Sequence, residues 1–166
     1  MRKAVLGAAV AALAIVLSAC GGGGDDQGSG ATATTAAAQQ AAEGTVAVAS
    51  TGLGEVLVDA KGRTLYAFTK DKGDQSVCSG KCAVAWPALT VTGAVTPGTG
   101  VEASLLSTSM QADGKSQVTY GGKPLYHFAG DAKPGDTNGQ DVGNVWFALT
   151  ADGELVKEKA AGGGYP

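Results

Sequence analysis

The chain has 166 residues, of which 27 are glycine and 5% are aromatic, and its formal net charge is -3. Because so few residues are large and apolar, the packed core is expected to be smaller than the chain length would allow. The acidic balance argues against a nucleic-acid partner, since phosphate backbones are held by clustered lysine and arginine.

The first segment has the layout of an export signal. Arg2 and Lys3 precede an uncharged, mostly apolar run at 4–19, which is short for a permanent membrane span. The run ends in a sequence that resembles the lipobox of bacterial lipoproteins, Leu17-Ser18-Ala19-Cys20. We predict a lipoprotein signal peptide at 1–19 and a membrane anchor made of diacylglyceryl and acyl lipid on Cys20. A cleaved signal with a chance cysteine and an uncleaved anchor helix are the alternatives.

The next segment, 20–45, is a low-complexity mixture of glycine, serine, threonine, alanine and glutamine with no aromatic residue. Such a composition cannot bury enough apolar surface to offset the entropy lost on ordering. We predict a flexible tether that begins at the lipidated Cys20, and a flexible tail at 159–166.

The remainder of the chain contains two copies of one pattern, offset by 60 positions. Nine residues recur without a gap at this offset: Val58/Val118, Gly62/Gly122, Leu65/Leu125, Tyr66/Tyr126, Phe68/Phe128, Asp71/Asp131, Trp86/Trp146, Ala88/Ala148 and Leu89/Leu149. Shared composition does not produce such a match, so the pattern indicates a duplication. We predict repeat 1 at 46–104 and repeat 2 at 105–158.

Each copy carries the signals of strands and tight turns. Apolar runs flanked by turn residues predict three hairpins, at 55–68, 117–128 and 145–156, and a further turn at Asp113-Gly114. Alternation places Tyr66 and Phe68 on one face of their strand and Leu65 and Ala67 on the other, so both faces should be at least partly covered. The predicted fold class is all-β, a compact sandwich or barrel-like unit.

The repeated aromatic residues and aspartates have a structural interpretation. The large rings are expected to anchor the core, because they dominate burial in a chain this rich in small residues: Tyr66, Phe68, Trp86, Tyr126, Phe128 and Trp146. Asp71 and Asp131 are expected to cap turns by accepting backbone N–H groups. Buried tyrosine hydroxyls would need partners. An envelope hydrolase using Asp71 and Asp131 as acid and base is an alternative.

Cys78 and Cys82 occur only in the first copy. Outside the cytoplasm a disulfide is the expected state, and it would pin the connection before Trp86. The alternative is a copper-binding or electron-transfer accessory protein, because two thiolates with His127 or Met110 would suit Cu(I).

Two further features have weaker functional interpretations. His127 is the only histidine, and it is expected to be an exposed or partly covered strand residue. The oxygen-rich loop at 131–141 raises the question of calcium, but it departs from the ligand order of an EF-hand, and turn formation explains its composition.

The motif Tyr-x-Phe-x-x-Asp at Tyr66 and again at Tyr126, with Cys78, Cys82, Trp86-Pro87 and Gly135-Asp136, resembles the secreted-repeat lipoproteins of bacteria. The resemblance covers residues 46–158 and implies a lipid-anchored, extracytoplasmic protein of a family without an established activity. We expect a non-enzymatic binding or envelope-structural module on the outer face of the cell membrane. Its partner would be an envelope protein or a small ligand, and it would need no cofactor beyond the lipid.

Overall fold

The computed structural model describes residues 44–157. The predicted signal peptide at 1–19, the lipidation site Cys20, most of the tether at 20–45 and the tail at 159–166 lie outside the described residues. Within the described part, no helix combines the length and the apolar character needed to cross a membrane.

The described part consists mainly of short strands with one short α-helix, α1 (Lys81–Ala85), and 3₁₀ turns at Ala103–Leu105 and Val142–Asn144. In chain order, the strands are β1 (Thr45–Thr51), β2 (Gly54–Asp59), β3 (Tyr66–Phe68), β4 (Thr90–Val91), β5 (Thr96–Pro97), β6 (Leu106–Met110), β7 (Ser116–Tyr120), β8 (Lys123–Pro124) and β9 (Trp146–Ala148).

These strands form three open sheets, which confirms the all-β prediction and is compatible with the sandwich form of it. One sheet has the order β2-β1-β5, a second has the order β4-β7-β6 with β8 paired to β7, and the third pairs β3 with β9. The β1–β2 and β6–β7 hairpins are corresponding elements of the two copies. The β3–β9 sheet joins residues of the first copy to residues of the second.

All three predicted hairpins are present. Backbone bonds of 2.9 Å close them, from Leu65 N–H to Leu57 O, from Leu125 N–H to Val118 O and from Thr150 N–H to Glu154 O. The β1–β2 hairpin was not predicted, although the valines and threonines of β1 are common in strands. β1 pairs with β2 from Val46 to Thr51, and Thr45 and Val46 also pair with β5.

In β2, the residues that correspond in the structure to those of the second copy lie one position earlier than the 60-residue sequence offset predicts. The bond partners place Leu57, and not Val58, at the position of Val118. The second copy closes its hairpin with the two-residue turn Gly121-Gly122, whose φ angles are 55° and 72°. The first copy uses a longer turn that ends at Gly62 with φ 77°. The extra residue in this turn shifts β2 by one position.

The alternation predicted for residues 65–68 places their side chains in two cores, one on each face of the strand. Leu65 and Ala67 belong to the first cluster, which is otherwise formed by Val46, Leu57, Leu89, Val91, Val118, Tyr120, Leu125 and Leu149. Tyr66 belongs to the second cluster, with Val56, Val58, Trp86, Tyr126, Trp146, Ala148 and Val156. Both clusters contain residues of both repeats, so neither repeat completes a core alone.

We predict that Leu65→Ala lowers the free energy of unfolding by about 2–5 kcal/mol, since it leaves a cavity among fully buried side chains of both repeats. Val84→Ala is the control, because Val84 is 76% exposed on α1 and should change stability by less than about 0.5 kcal/mol. Denaturant unfolding at equilibrium measures both. Equal effects of the two substitutions would contradict the shared core.

Candidate functional site

The fold brings each tyrosine of the repeated motif to the aspartate of the other repeat. The hydroxyl of Tyr66 donates to Asp131 Oδ2 over 2.7 Å, and the hydroxyl of Tyr126 donates to Asp71 Oδ2 over the same distance. The two contacts are related by exchange of the repeats. The motif Tyr-x-Phe-x-x-Asp therefore acts across the molecule and not within one copy.

The backbone of the same tyrosines defines a local twofold relation. Tyr66 N–H donates to Tyr126 O and Tyr126 N–H donates to Tyr66 O, each over 2.9 Å. Such an exchange between equivalent residues requires the two strands to run antiparallel about an axis between them. The axis explains why the tyrosine–aspartate contact made by one repeat has a counterpart in the other.

The second oxygen of each aspartate caps the following loop, as the sequence predicts. Asp71 Oδ1 accepts the N–H of Val77 over 2.9 Å, and Asp131 Oδ1 accepts the N–H of Asn138 over 2.9 Å. In the loop 131–141, Asp136 Oδ2 likewise accepts the N–H groups of Ala132 and Lys133. Turn formation therefore accounts for the carboxylates of Asp131 and Asp136.

Burial controls the electrostatics of both pairs. Burial raises the pKa of Asp71 and of Asp131, although their hydrogen bonds from tyrosine and backbone act in the opposite direction. Burial also raises the pKa of Tyr66 and Tyr126 well above its ordinary value, and the hydrogen-bonded carboxylates raise it further. At neutral pH the phenols are thus uncharged donors, which is the state that a hydrogen bond to a carboxylate requires.

Four aromatic rings form a continuous stack across the twofold axis. Trp86 and Trp146 stack with ring centroids 3.8 Å apart, Phe68 stacks on Trp146 at 4.2 Å, and Phe128 lies against Trp86 at 4.5 Å. Tyr66 meets the edge of this stack at Trp86, and Tyr126 meets it at Trp146. The aromatic residues predicted as anchors thus form one cluster, in which the phenylalanines remain half-buried.

The two cysteines form a disulfide, as the sequence predicts. Cys78 and Cys82 are bonded to each other, and both pack against the aromatic cluster. Cys82 lies in α1, and its carbonyl accepts the N–H of Trp86 over 2.8 Å. The disulfide therefore holds the short connection that positions one member of the Trp86–Trp146 stack.

The residues of the copper alternative are not gathered into one cluster. Residues 44–157 contain no group of three or more histidine, cysteine, aspartate or glutamate side chains placed to hold a metal ion. His127 contacts Asp59 instead of Cys78 or Cys82, and Met110 is 65% exposed at the end of β6. With both sulfurs in the disulfide, neither cysteine is available as a thiolate ligand.

Asp59 is a buried charged residue that sequence reasoning missed. Its Oδ1 accepts the N–H groups of Lys61 and Arg63, and its Oδ2 accepts a hydrogen bond from the Arg63 side chain at 2.8 Å. His127 Nε2 lies 3.1 Å from the same Oδ2. The sequence signal was available, because an aspartate three residues before Gly62 is typical of a turn whose N–H groups it caps.

These contacts decide the charge state of Asp59. Burial alone would raise the pKa of its carboxyl group, but the hydrogen bonds from His127, Arg63 and Lys61 outweigh burial and hold the pKa well below its usual range. An ionised carboxylate only accepts hydrogen bonds, so His127 Nε2 must carry the hydrogen in this contact. His127 itself is partly covered, with 13% of its side chain exposed.

Comparison with known proteins identifies the repeats. A family model described as a secreted repeat of unknown function matches residues 47–90 and 107–150. The two matched segments correspond to the two tandem copies and together cover more than half of the chain. None of the curated proteins and none of the solved structures matches the chain. The resemblance inferred from the paired motif is therefore confirmed.

We predict that the cross-repeat pairs are energetically coupled. Tyr66→Phe should cost about 1.5–3 kcal/mol of stability, because the carboxylate of Asp131 loses a buried donor. A double-mutant cycle of Tyr66→Phe with Asp131→Asn should give a coupling energy of about 0.5–3 kcal/mol. The matched control is Tyr66→Phe with Asp71→Asn, since Asp71 bonds Tyr126 instead. Coupling within the same repeat and none across repeats would contradict the pairing.

We predict an acid-dependent contribution from Asp59. Its folded-state pKa is lowered, so its stabilisation is fully present above the unfolded-state pKa, about 3.9, and is lost as the pH falls through the folded-state value. Asp59→Asn should therefore lower the free energy of unfolding by about 1–3 kcal/mol at neutral pH, and this deficit should shrink below about pH 4.

Denaturant unfolding of wild type and Asp59→Asn across the acid range measures this prediction. Asp113→Asn is the control, because Asp113 is exposed and pairs with the exposed Lys115, so its removal should change stability little at any pH. A deficit for Asp59→Asn that stays constant down to strongly acidic pH would mean that the carboxyl group does not have a lowered pKa.

Proposed function

The chain belongs to the family of secreted repeats of unknown function, and on that premise we propose that it is a lipid-anchored, extracytoplasmic binding module. Membership of a secreted family places the two-repeat unit outside the cytoplasm. Within the proposal, lipid on Cys20 attaches this unit to the outer face of a bacterial cell membrane, and the unit acts by binding a small ligand or another envelope component.

The proposed anchor is supported by the sequence at the N-terminus. The basic residues Arg2 and Lys3, the short apolar run and the sequence ending at Cys20 have the order and length of a lipoprotein signal. Removal of the signal would also remove two positive charges, so electrostatic attraction to anionic lipids would not assist binding. Several acyl chains on Cys20 would therefore have to supply the membrane affinity.

The proposal of binding instead of catalysis depends on one observation, the reciprocal tyrosine–aspartate pairs. Each aspartate of the motif has one oxygen on a tyrosine of the other repeat and one oxygen on a loop N–H. A carboxylate that acts as general acid or base needs an oxygen within reach of its substrate. Asp71 and Asp131 instead use one oxygen to join the repeats and the other to cap a loop, which favours a structural role for the motif.

We predict that Cys20→Ala abolishes membrane attachment. The wild-type protein, expressed with its own signal in a bacterium that processes lipoproteins, should incorporate radiolabelled palmitate and sediment with membranes. The variant should incorporate none and should appear in the soluble extracytoplasmic fraction or the medium, because its thiol acceptor is missing. Fractionation and immunoblotting measure the distribution.

The matched control for this experiment is the double variant Cys78→Ser/Cys82→Ser. It removes the other two cysteines of the chain, which form the disulfide, and leaves Cys20 in place. This variant should retain the palmitate label and the membrane association. Retention of label and membrane association by Cys20→Ala would overturn the proposed anchor.

A further inference from the structure

One place where the twofold relation fails is the turn of repeat 1 that a loop of repeat 2 covers, because the counterpart of that loop leaves the corresponding turn of repeat 2 open. The loop 131–136 packs on the turn at 60–64. Pro134 contacts Gly62 so closely that a Cβ built on that glycine would lie 3.1 Å from Pro134 Cβ. Gly135 N–H also donates to Gly62 O over 3.1 Å, and the hydroxyl of Thr64 donates to Asp136 O over 2.7 Å.

The corresponding loop of repeat 1, at 71–76, takes a different course. Gln75 Nε2 donates to Ser109 Oγ over 2.7 Å, and Ser76 N–H donates to Gln111 Oε1 over 2.9 Å. These bonds attach the loop to β6 and the turn that follows it. A Cβ built on Gly122, the counterpart of Gly62, would have no neighbour within 4 Å.

A side-chain difference enlarges the same space. Repeat 1 has Ala67 where repeat 2 has His127, and the imidazole of His127 reaches Asp59. The methyl group of Ala67 fills much less volume than an imidazole. A cavity of about 380 Å³ results, with Ala67 and Gly122 among its lining residues. The corresponding space at the turn 60–64 is filled by the loop 131–136.

The lining of this cavity combines one aromatic ring, apolar side chains, one cation and one carboxyl group. Phe68, Pro124 and Leu155 provide apolar surface, and Lys123 and Asp71 provide the charged groups. One face of Phe68 is covered by Trp146 at 4.2 Å, and the half-buried ring also borders the cavity. Phe68 is therefore the end of the four-ring stack that borders the cavity.

Both charged groups make hydrogen bonds within the protein, and of the two Lys123 is the one that carries N–H donors. Lys123 Nζ donates to Gly153 O over 3.1 Å, and an ammonium group carries three hydrogens, so donors remain for a ligand. Both oxygens of Asp71 already accept hydrogen bonds, from Val77 and Tyr126. The cavity thus offers a ligand the ammonium group of Lys123, which has N–H groups left to donate, beside an aromatic surface.

We propose that this cavity binds a small planar aromatic carboxylate, whose ring contacts Phe68 and whose anionic oxygens accept hydrogen bonds from Lys123. The proposal rests on the binding function proposed above and names its ligand class. Ligand pockets commonly measure about 300–1,000 Å³, and a cavity at the small end of that range suits one or two fused rings. Aromatic contact and a charge-assisted hydrogen bond would together fix the orientation of the ligand.

Calorimetric titration of the purified full-length protein with naphthoate tests the proposal. The wild-type protein should bind naphthoate saturably, and should bind the uncharged naphthamide and the non-planar cyclohexanecarboxylate more weakly. Lys123→Met should weaken naphthoate binding by about tenfold or more, because the charged donor is lost, and should leave naphthamide binding unchanged. Thr69→Trp, which places a large side chain at the cavity wall, should abolish binding of all three compounds.

Lys61→Met is the matched control, because exposed Lys61 belongs to the corresponding turn of repeat 1, the one that loop 131–136 covers. It should bind naphthoate as the wild type does. The lack of saturable binding by the wild type, or binding that survives Thr69→Trp, would overturn the proposed site. Denaturant unfolding of each variant separates loss of the site from loss of the fold, and Thr69→Trp tests the site even where Lys123→Met destabilises the protein.

The outcome is independent of the anchoring experiment. Thr69→Trp leaves Cys20 unchanged, so it should still incorporate palmitate and sediment with membranes. Failure of naphthoate binding with intact anchoring would reject the proposed site and leave the proposed anchor unaffected. Failure of Cys20-dependent anchoring would reject the membrane placement and leave the titration result unaffected.

Discussion

The reciprocal hydrogen bonds from Tyr66 to Asp131 and from Tyr126 to Asp71 are the constraint on which the rest of the structure depends. Each bond places a phenol and a carboxylate at the boundary between the repeats, where an unpaired partner would be costly. The same tyrosines exchange backbone bonds at the axis. This arrangement fixes the position of each repeat on the other, and it permits both cores to be built from residues of both copies.

A short chain with few aromatic residues gains stability by concentrating them at this axis. The Trp86–Trp146 stack lies between the two tyrosines, and the disulfide holds the segment that carries Trp86. Close packing there also requires glycine. A Cβ on Gly139 would lie 2.7 Å from Tyr66 Cζ and 2.9 Å from a Trp86 ring atom, which no side chain tolerates. The high glycine content thus partly serves the packing of the aromatic cluster.

The elements that obey the twofold relation and the elements that depart from it have different roles in this molecule. The elements that obey the twofold relation, namely the motif pairs and the aromatic stack, join the repeats. The elements that depart from it are local and chemically distinct. They include the disulfide, the buried Asp59 with His127 and Arg63, and the cavity beside Lys123. The symmetric contacts hold the two repeats together. The proposed binding site lies instead at a position where the two repeats differ in structure.

The sequence by itself determined the duplication, the all-β class, the three hairpins and the two-sided burial of residues 65–68. The hairpins and the two-sided burial follow from local spacing, because alternation and turn chemistry act over a few residues. The duplication follows from the residues that recur at an offset of 60 positions. The tertiary structure alone decided that each Tyr bonds the Asp of the opposite repeat, since two identical motifs give the same sequence pattern whether they pair within or across copies. It also decided the one-residue shift of β2, the burial of Asp59 and the cavity at Gly122. Each of these depends on which loop packs on which turn, and that choice is made by contacts between residues far apart in the chain.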